Sequence, residues 1–193
     1  MRHVGVPLMF LLAGGCSSAP VHRDPVSVPL PGPPRPLQEL VEELGAPDAP
    51  RRAAAGWSLA GAGDVDASAI RALSAALDDS SAAVREAATW ALWHVKSPGF
   101  GTQQLMDSSP RVLVQTKPTY PRAAFDQKVE GTVLVEFLVN ELGRVSHAEI
   151  RRSLPGLDEA ALATVRDWQF EPAKRGGRPV ACVAQSPVTF RIH

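Results

Sequence analysis

The sequence predicts an α+β C-terminal domain, in which a helix packs on an antiparallel three-stranded sheet, preceded by an all-α segment. Three patterns predict this class: apolar alternation over residues 131–139, an apolar stripe at helical spacing from Leu157 to Trp168, and a 33-residue internal repeat within residues 37–96. A length of 193 residues allows one or two small domains and a tail.

The first strand of the sheet is predicted at residues 131–139. Alternation of period two places Val133, Val135, Phe137 and Val139 on one face. That face is β-branched and aromatic, which suits a half-buried sheet. The other face carries Thr132 and Glu136 together with two leucines, so it is not fully polar. Residues 140–143 predict a hairpin connection, and the returning strand covers residues 144–153.

A helix is predicted to begin at Leu157 and Asp158, after a Pro-Gly pair. Its apolar stripe is Leu157, Ala161, Val165 and Trp168. Pro172 prevents continuation, and a final strand is predicted over residues 179–192. Because one helix covers only one face of a sheet, the other face must meet water or a partner.

Six motifs follow one another between Pro118 and Val180. They occupy residues 118–121, 131–139, 143–145, 153–161, 168–173 and 177–180. In this order and at this compact spacing they resemble the TonB C-terminal domain, over residues 118–193. The resemblance implies that the domain binds an extended peptide of an outer-membrane transporter, the TonB box, as a further strand at a sheet edge.

We predict this peptide-binding edge in the last strand, because the run 180–185 carries no charge that would blunt an edge. Its members are Val180, Ala181, Cys182, Val183, Ala184 and Gln185. Arg175 and Arg178 lie nearby and are candidate contacts to acidic groups; the alternative for each is a solvated turn charge. Leu157, Trp168 and Phe170 are predicted to be core residues.

The two cysteines have different expected roles. If Cys16 is acylated, Cys182 has no partner for an intrachain disulfide. Cys182 is then expected to be a small buried apolar residue. The alternative, a reactive thiol, lacks an adjacent base or helix start in the sequence.

No enzymatic activity, cofactor or metal site is predicted. The five histidines are scattered, and no phosphate loop, nucleophile elbow or dinucleotide fingerprint occurs. The adjacent Asp158 and Glu159 are explained by their favourable position in the first turn of a helix. His147 is expected to be solvated on the outer face of its strand. A net charge of zero gives no global attraction to nucleic acid.

Residues 37–96 are alanine-rich, and a shift of 33 residues superposes Arg52 on Arg85 and Trp57 on Trp90. The runs 52–59 and 85–92 resemble the second helix of a short HEAT repeat. Such repeats usually stack in threes or more, and only two are found here. The alternative is alanine-rich helices with a chance match. Either way the segment is expected to be a spacer or docking surface.

The N-terminal residues 1–16 are interpreted as a lipoprotein-type signal peptide. A short apolar run precedes Ala13-Gly14-Gly15-Cys16, which resembles a lipobox with Cys16 as the lipidated residue. The alternative is an ordinary cleavable signal peptide whose cysteine is incidental. Residues 17–36 form a proline-rich linker, and residues 97–117 a second connector.

The function predicted from these features is a periplasm-facing, lipid-anchored TonB-like protein in TonB-type transport or transporter tethering. The resemblance to energy transducers leaves open whether another subunit energises it. The outer membrane is favoured over the inner membrane, because Ser17 follows Cys16. The alternative is a scaffold lipoprotein whose HEAT-like helices bind a protein and whose C-terminal domain binds peptidoglycan or a second copy as a homodimer.

Overall fold

We describe the fold from a computed structural model, which covers residues 36–95 and 105–192. The predicted signal peptide with Cys16, nearly all of the linker, and residues 96–104 of the chain lie outside the described residues. Within the described residues, no helix has the length and apolar content needed to cross a bilayer.

The helical module contains two helical pairs, as the 33-residue repeat predicts. Its helices are α1 (Leu37–Glu43), α2 (Ala49–Ala60), α3 (Ala67–Ala76) and α4 (Ala82–His94). The Asp48 side chain caps α2 by accepting from the Arg51 amide, and Asp66 caps α3 by accepting from the amides of Ser68 and Ala69.

The second helices of the two pairs, α2 and α4, pack closely because small residues line their contact. Gly56 lies against Ala87, and a Cβ at Gly56 would lie 2.9 Å from the Ala87 Cβ. Ala55 and Ala88 are fully buried on the same contact. The alanine content of the repeat thus sets a short distance between neighbouring units.

The two repeated arginines show how the module joins the rest of the chain. Arg52 donates to the Ala46 carbonyl at 2.8 Å and binds the Asp79 carboxylate through two nitrogens, at 2.8 and 3.0 Å. Arg85, its equivalent, donates to the Asp79 carbonyl at 2.6 Å and binds the Glu141 carboxylate at 2.6 and 2.7 Å. Glu141 therefore occupies the position that an acidic residue of a third unit would take.

The C-terminal domain has more elements than the sequence predicts. They are β1 (Arg111–Val114), α5 (Arg122–Asp126), β2 (Gly131–Val139), β3 (Val145–Arg152), α6 (Asp158–Arg166), β4 (Gln169–Glu171), β5 (Ala173–Arg175), β6 (Arg178–Val180) and β7 (Cys182–Phe190). The antiparallel sheet has the order β3-β2-β7. The domain also contains two separate two-stranded antiparallel sheets, β1-β4 and β5-β6.

The predicted three-stranded sheet and its packed helix are confirmed, but the single final strand is a correction. Residues 178–180 form β6 and pair back on β5 through the Gly176-Gly177 turn. Only after Ala181 does the chain enter β7. Strand β1 lies inside the segment expected to be a connector, where its residues Arg111–Val114 are all exposed.

The inner face of the sheet packs against α6 and forms the main core of the domain. This core contains Val133, Val135, Phe137, Val139, Leu157, Ala161, Val165, Trp168, Phe170, Cys182, Val188 and Phe190. The residues predicted to alternate inward on β2 are thus buried. At Gly143 the backbone comes so close to β4 that the Phe170 amide donates to the Gly143 carbonyl at 2.8 Å.

The outer face of the sheet meets the helical module. Leu138 of β2 and Val183 of β7 form a buried cluster with Ala181 and Trp90 of α4. Because Leu138 and Val183 would otherwise meet water, burial of each of these two side chains stabilises the contact between the modules by about 2 kcal/mol. The face that the sequence left for water or a partner is therefore covered in part by the chain's own helices.

Candidate peptide-binding edge

The three-stranded sheet has two outer strands, β3 and β7. Strand β3 carries Glu149, Arg151 and Arg152, which are exposed, and charges of this kind discourage strand addition. Strand β7 carries no charged residue from Cys182 to Phe190. No other strand of residues 36–95 and 105–192 pairs with the second edge of β7. Strand β7 is therefore the better edge for an added strand.

The position of Pro187 indicates which backbone groups of β7 face this open edge. Pro187 pairs with Leu134 of β2 but has no N–H to donate, and proline is tolerated where the N–H would point away from the sheet. Alternate residues of an antiparallel strand bond to the same neighbour. Val183 and Gln185 lie an even number of residues before Pro187 and therefore have the same orientation in the strand. Their N–H and C=O groups accordingly point toward the open edge.

The first two residues of the predicted edge lie outside β7. Val180 ends β6 and pairs with Ala173 of β5, so it belongs to a hairpin. Ala181 connects the two strands, and its side chain is buried against Trp90 and Leu138. Val180 and Ala181 thus lie at the end of the edge, not along it.

The other four predicted residues form the start of β7, and their side chains face inward or contact the helical module. Cys182 and Ala184 pack into the inner core. Val183 is buried at the contact with α4, and Gln185 donates to Glu136 Oε2 at 2.6 Å. At Cys182 and Val183 only main chain remains free for a partner, whereas Gln185 is exposed although its amide binds Glu136.

A buried carboxylate ties the outer face of the sheet to the helical module. Glu136 is 1% exposed and accepts hydrogen bonds from both parts of the chain. Trp93 Nε1 and Gln185 Nε2 bind its Oε2 at 2.9 and 2.6 Å, and Arg151 Nε and His94 Nε2 bind its Oε1 at 2.6 and 2.8 Å. Burial raises the pKa of Glu136, but these hydrogen bonds outweigh burial and leave the pKa below its usual value.

Aromatic rings continue this contact and correct the expectation for His147. The His147 ring lies 5.0 Å from Trp57 and 4.5 Å from Trp90, between ring centroids, and its side chain is only 14% exposed. Trp57 and Trp90 lie 5.9 Å apart. The expectation that His147 is solvated is wrong, because the repeated tryptophans of the helical module cover it.

The two candidate arginines lie on the β5-β6 hairpin, near the end of the edge. Arg175 donates to Asp78 at 2.6 Å, and the Asp78 side chain is 80% exposed. Arg178 is exposed and has no acidic partner within the described part of the chain. That Arg175 and Arg178 contact acidic groups of a partner stays a prediction.

Cys182 is expected to be chemically silent in the folded protein. Burial raises the pKa of its thiol to about 11, and the side chain is fully buried in the inner core. In the variant Cys16→Ala, in which Cys182 is the one remaining thiol, we therefore expect no reaction with an aromatic disulfide reagent at pH 8 within minutes, and stoichiometric reaction once denaturant is added. Rapid labelling of this variant in its native state would contradict the burial of Cys182.

The residues described by the structure contain no group of three or more histidine, cysteine or acidic side chains arranged to hold a metal ion. Around this edge, Arg85, Trp93 and His94 of α4 join the two modules by hydrogen bonds to Glu141 and Glu136. The region presents an open strand edge, β7, which contacts α4 on the outer face of the sheet.

Comparison with known families agrees with this architecture. Residues 116–192 match the model described as Gram-negative bacterial TonB protein C-terminal. The C-terminal part of the chain belongs to the TonB C-terminal domain family. Residues 37–109 match the model of HEAT repeats, so the helical module is a HEAT-repeat segment. The resemblances to the TonB C-terminal domain and to HEAT repeats are confirmed, and the resemblance of residues 13–16 to a lipobox stays a prediction.

Curated relatives include Protein TonB of Vibrio cholerae, 30% identical over 99 residues, which are 50% of this chain and 41% of the relative. Protein TonB of Escherichia coli is 35% identical over 71 residues, covering 36% and 30% of the two chains. This chain thus spans less than half the length of these relatives. A solution structure of the Pseudomonas aeruginosa TonB C-terminal domain is 33% identical and covers 45% of this chain and 89% of its own, with a TM-score of 0.38.

Proposed function

We propose that this chain is a periplasm-facing TonB-domain protein that binds an extended peptide of an outer-membrane transporter by adding it as a strand to β7. Its role is then in TonB-type transport or in tethering a transporter. The partner contributes main-chain hydrogen bonds along the edge and side chains on alternate faces. This is a binding role without catalysis.

The observation that carries the proposal is the combination of an open backbone edge with fully engaged side chains. From Cys182 to Gln185 every side chain packs or bonds within the chain, and the strand is uncharged. An edge of this kind is an aggregation hazard unless a partner uses it. Because its own side chains are held in place, the edge is preorganised and loses little conformational entropy on binding.

Substitutions at Gln185 test this edge. Gln185→Pro removes the outward N–H, whereas Gln185→Ala removes the same side-chain bond to Glu136 and keeps the N–H. We expect Gln185→Pro to weaken binding at least tenfold relative to Gln185→Ala, since a main-chain hydrogen bond is lost and the added strand clashes with the proline ring. The measurement is fluorescence anisotropy with synthetic peptides that copy the periplasmic N-terminal segments of outer-membrane transporters.

Circular dichroism melting of both variants provides the folding control. Equal affinities of the two variants, with both folded, would show that the edge of β7 is not used. Strand addition would then have to be sought elsewhere on the domain.

We also propose that Cys16 is lipidated and anchors the chain in the cell envelope, with the outer membrane favoured. Mass spectrometry of the mature N-terminus tests this. A diacyl or triacyl mass on Cys16 that is absent from Cys16→Ala supports the anchor. An uncleaved, unacylated N-terminus would contradict it and favour a directly energised transducer.

The proposed role has two versions: energised transport, in which another subunit couples this chain to a proton-driven motor, and tethering of a transporter without energy input. Loss of transporter-dependent uptake on collapse of the proton gradient would favour energised transport, and unchanged uptake would favour tethering.

Binding of peptidoglycan and formation of a homodimer stay predictions of the scaffold alternative. Co-purification of wall fragments without any transporter would favour that alternative.

A further inference from the structure

A cleft of about 640 Å³ lies where the two modules meet, next to the end of β7. Its lining residues are Leu77, Asp78, Asp79, Arg85, Glu141, Arg175, Gly176, Arg178, Pro179 and Val180. The turn between α3 and α4 forms one wall, and the β5-β6 hairpin forms the other. The cleft therefore exists only because the HEAT-repeat module sits beside the TonB-type domain.

Most charges in the cleft are already paired. Arg85 binds Glu141 through two nitrogens, and Asp79 is bound in the same way by Arg52. Paired guanidinium–carboxylate groups of this geometry are not available to a ligand without a large loss. The floor of the cleft is thus electrostatically satisfied, and the charges that remain lie on the hairpin wall.

The hairpin wall carries a surplus of positive charge. Arg178 is exposed and has no acidic partner within residues 36–95 and 105–192. The pair between Arg175 and Asp78 is weak, because the Asp78 side chain is 80% exposed. A ligand carboxylate can displace Asp78 from Arg175 at little cost and meet Arg178 at the same time. The wall therefore fits an acidic side chain.

The cleft is continuous with the edge of β7. Val180 lines the cleft, and one residue later the chain enters β7 at Cys182. The turn of the hairpin consists of Gly176 and Gly177, which have no side chains, and a Cβ built at either would meet no atom within 4 Å. The approach to the cleft past this turn is therefore open. A peptide strand paired with β7 that continues past Cys182 reaches the cleft within about two residues.

We propose that this cleft binds acidic residues that flank the strand-forming segment of the partner peptide, with Arg178 and Arg175 as their contacts. The inference rests on the proposed strand addition at β7. It gives the HEAT-repeat module a function in recognition, because the α3–α4 turn of that module forms the second wall of the cleft. Selectivity for the partner then depends on residues outside the added strand.

The test uses the purified full chain and three fluorescein-labelled peptides with the same alternating Thr-Val segment of six residues. One carries Asp-Glu before the segment, one carries Asp-Glu after it, and one carries Asn-Gln at both ends. We expect one acidic probe to bind about fivefold more tightly than the neutral probe, as one exposed charge pair permits. The orientation of the added strand decides which acidic probe shows this preference.

Arg178→Ala is expected to abolish the preference while leaving the affinity for the neutral probe unchanged. Arg191→Ala, at the opposite end of β7, is the matched control and is expected to preserve it. A preference that survives Arg178→Ala, with binding still sensitive to Gln185→Pro, would overturn the cleft inference and leave strand addition standing. Neutral-probe binding that is equal in Gln185→Pro and Gln185→Ala, or no binding by any probe, would overturn both.

Discussion

Gly143→Ala is expected to lower the free energy of unfolding by about 4 kcal/mol. Gly143 has a φ of +73°, and a Cβ built there would lie 1.8 Å from the Phe170 carbonyl oxygen. That oxygen belongs to backbone, so it cannot move aside as a flexible side chain would. The substitution must push the β2–β3 turn away from β4 and break the hydrogen bond from the Phe170 amide to the Gly143 carbonyl.

Gly177→Ala is the matched control for this effect. Gly177 has a φ of +77°, close to that of Gly143, but a Cβ there would meet no atom within 4 Å. Its cost is the backbone strain alone, about 1 kcal/mol. Urea denaturation followed by tryptophan fluorescence measures both values. Equal losses of unfolding free energy in the two variants would show that the close approach to Phe170 adds nothing to the cost of a side chain at position 143.

Gly143 also illustrates what could be predicted from the sequence. The turn at 140–143 and the strand at 131–139 followed from local periodicity and from glycine's freedom at positive φ. The contact of Gly143 with Phe170 joins residues far apart in the chain, and no local pattern reports it. The β5-β6 hairpin was not predicted, because the strands on either side of Gly176 and Gly177 have only three residues each, too few to show a period.

The contact between the helical module and the sheet could be predicted from the sequence only in part. The 33-residue repeat placed Trp57 and Trp90 at equivalent positions of the two units, but it did not predict that they meet the sheet. The presence of two leucines beside Glu136 on the supposedly polar face of β2 was the relevant signal. A buried face with one carboxylate implies donors that arrive from elsewhere in the fold, and here they include Trp93 and His94 of α4.

Glu136→Ala is expected to destabilise the chain by about 3 kcal/mol. Removal of the buried carboxylate leaves the half-buried Trp93 indole N–H without its acceptor, and it also removes the partner of the Gln185 amide and of Arg151. Because the donors come from α4 and from the sheet, the loss should weaken the contact between the modules as well as the sheet. Urea denaturation followed by tryptophan fluorescence should show this, since Trp57, Trp90 and Trp93 lie in the helical module.

Glu149→Ala serves as the control, because Glu149 lies on the same face of neighbouring β3 but is 45% exposed and binds only His147 among described residues. The substitution should lower the free energy of unfolding by no more than about 0.5 kcal/mol.

The pH dependence of stability gives a second readout. Since the pKa of Glu136 lies below its ordinary value of 4.5 in the folded chain, its contribution is complete above that pH and is lost as the pH falls through the folded pKa. Glu136→Ala should therefore lose stability less steeply than the wild type below pH 4.5. A variant that keeps the wild-type acid slope would show that the carboxylate does not hold the two modules together.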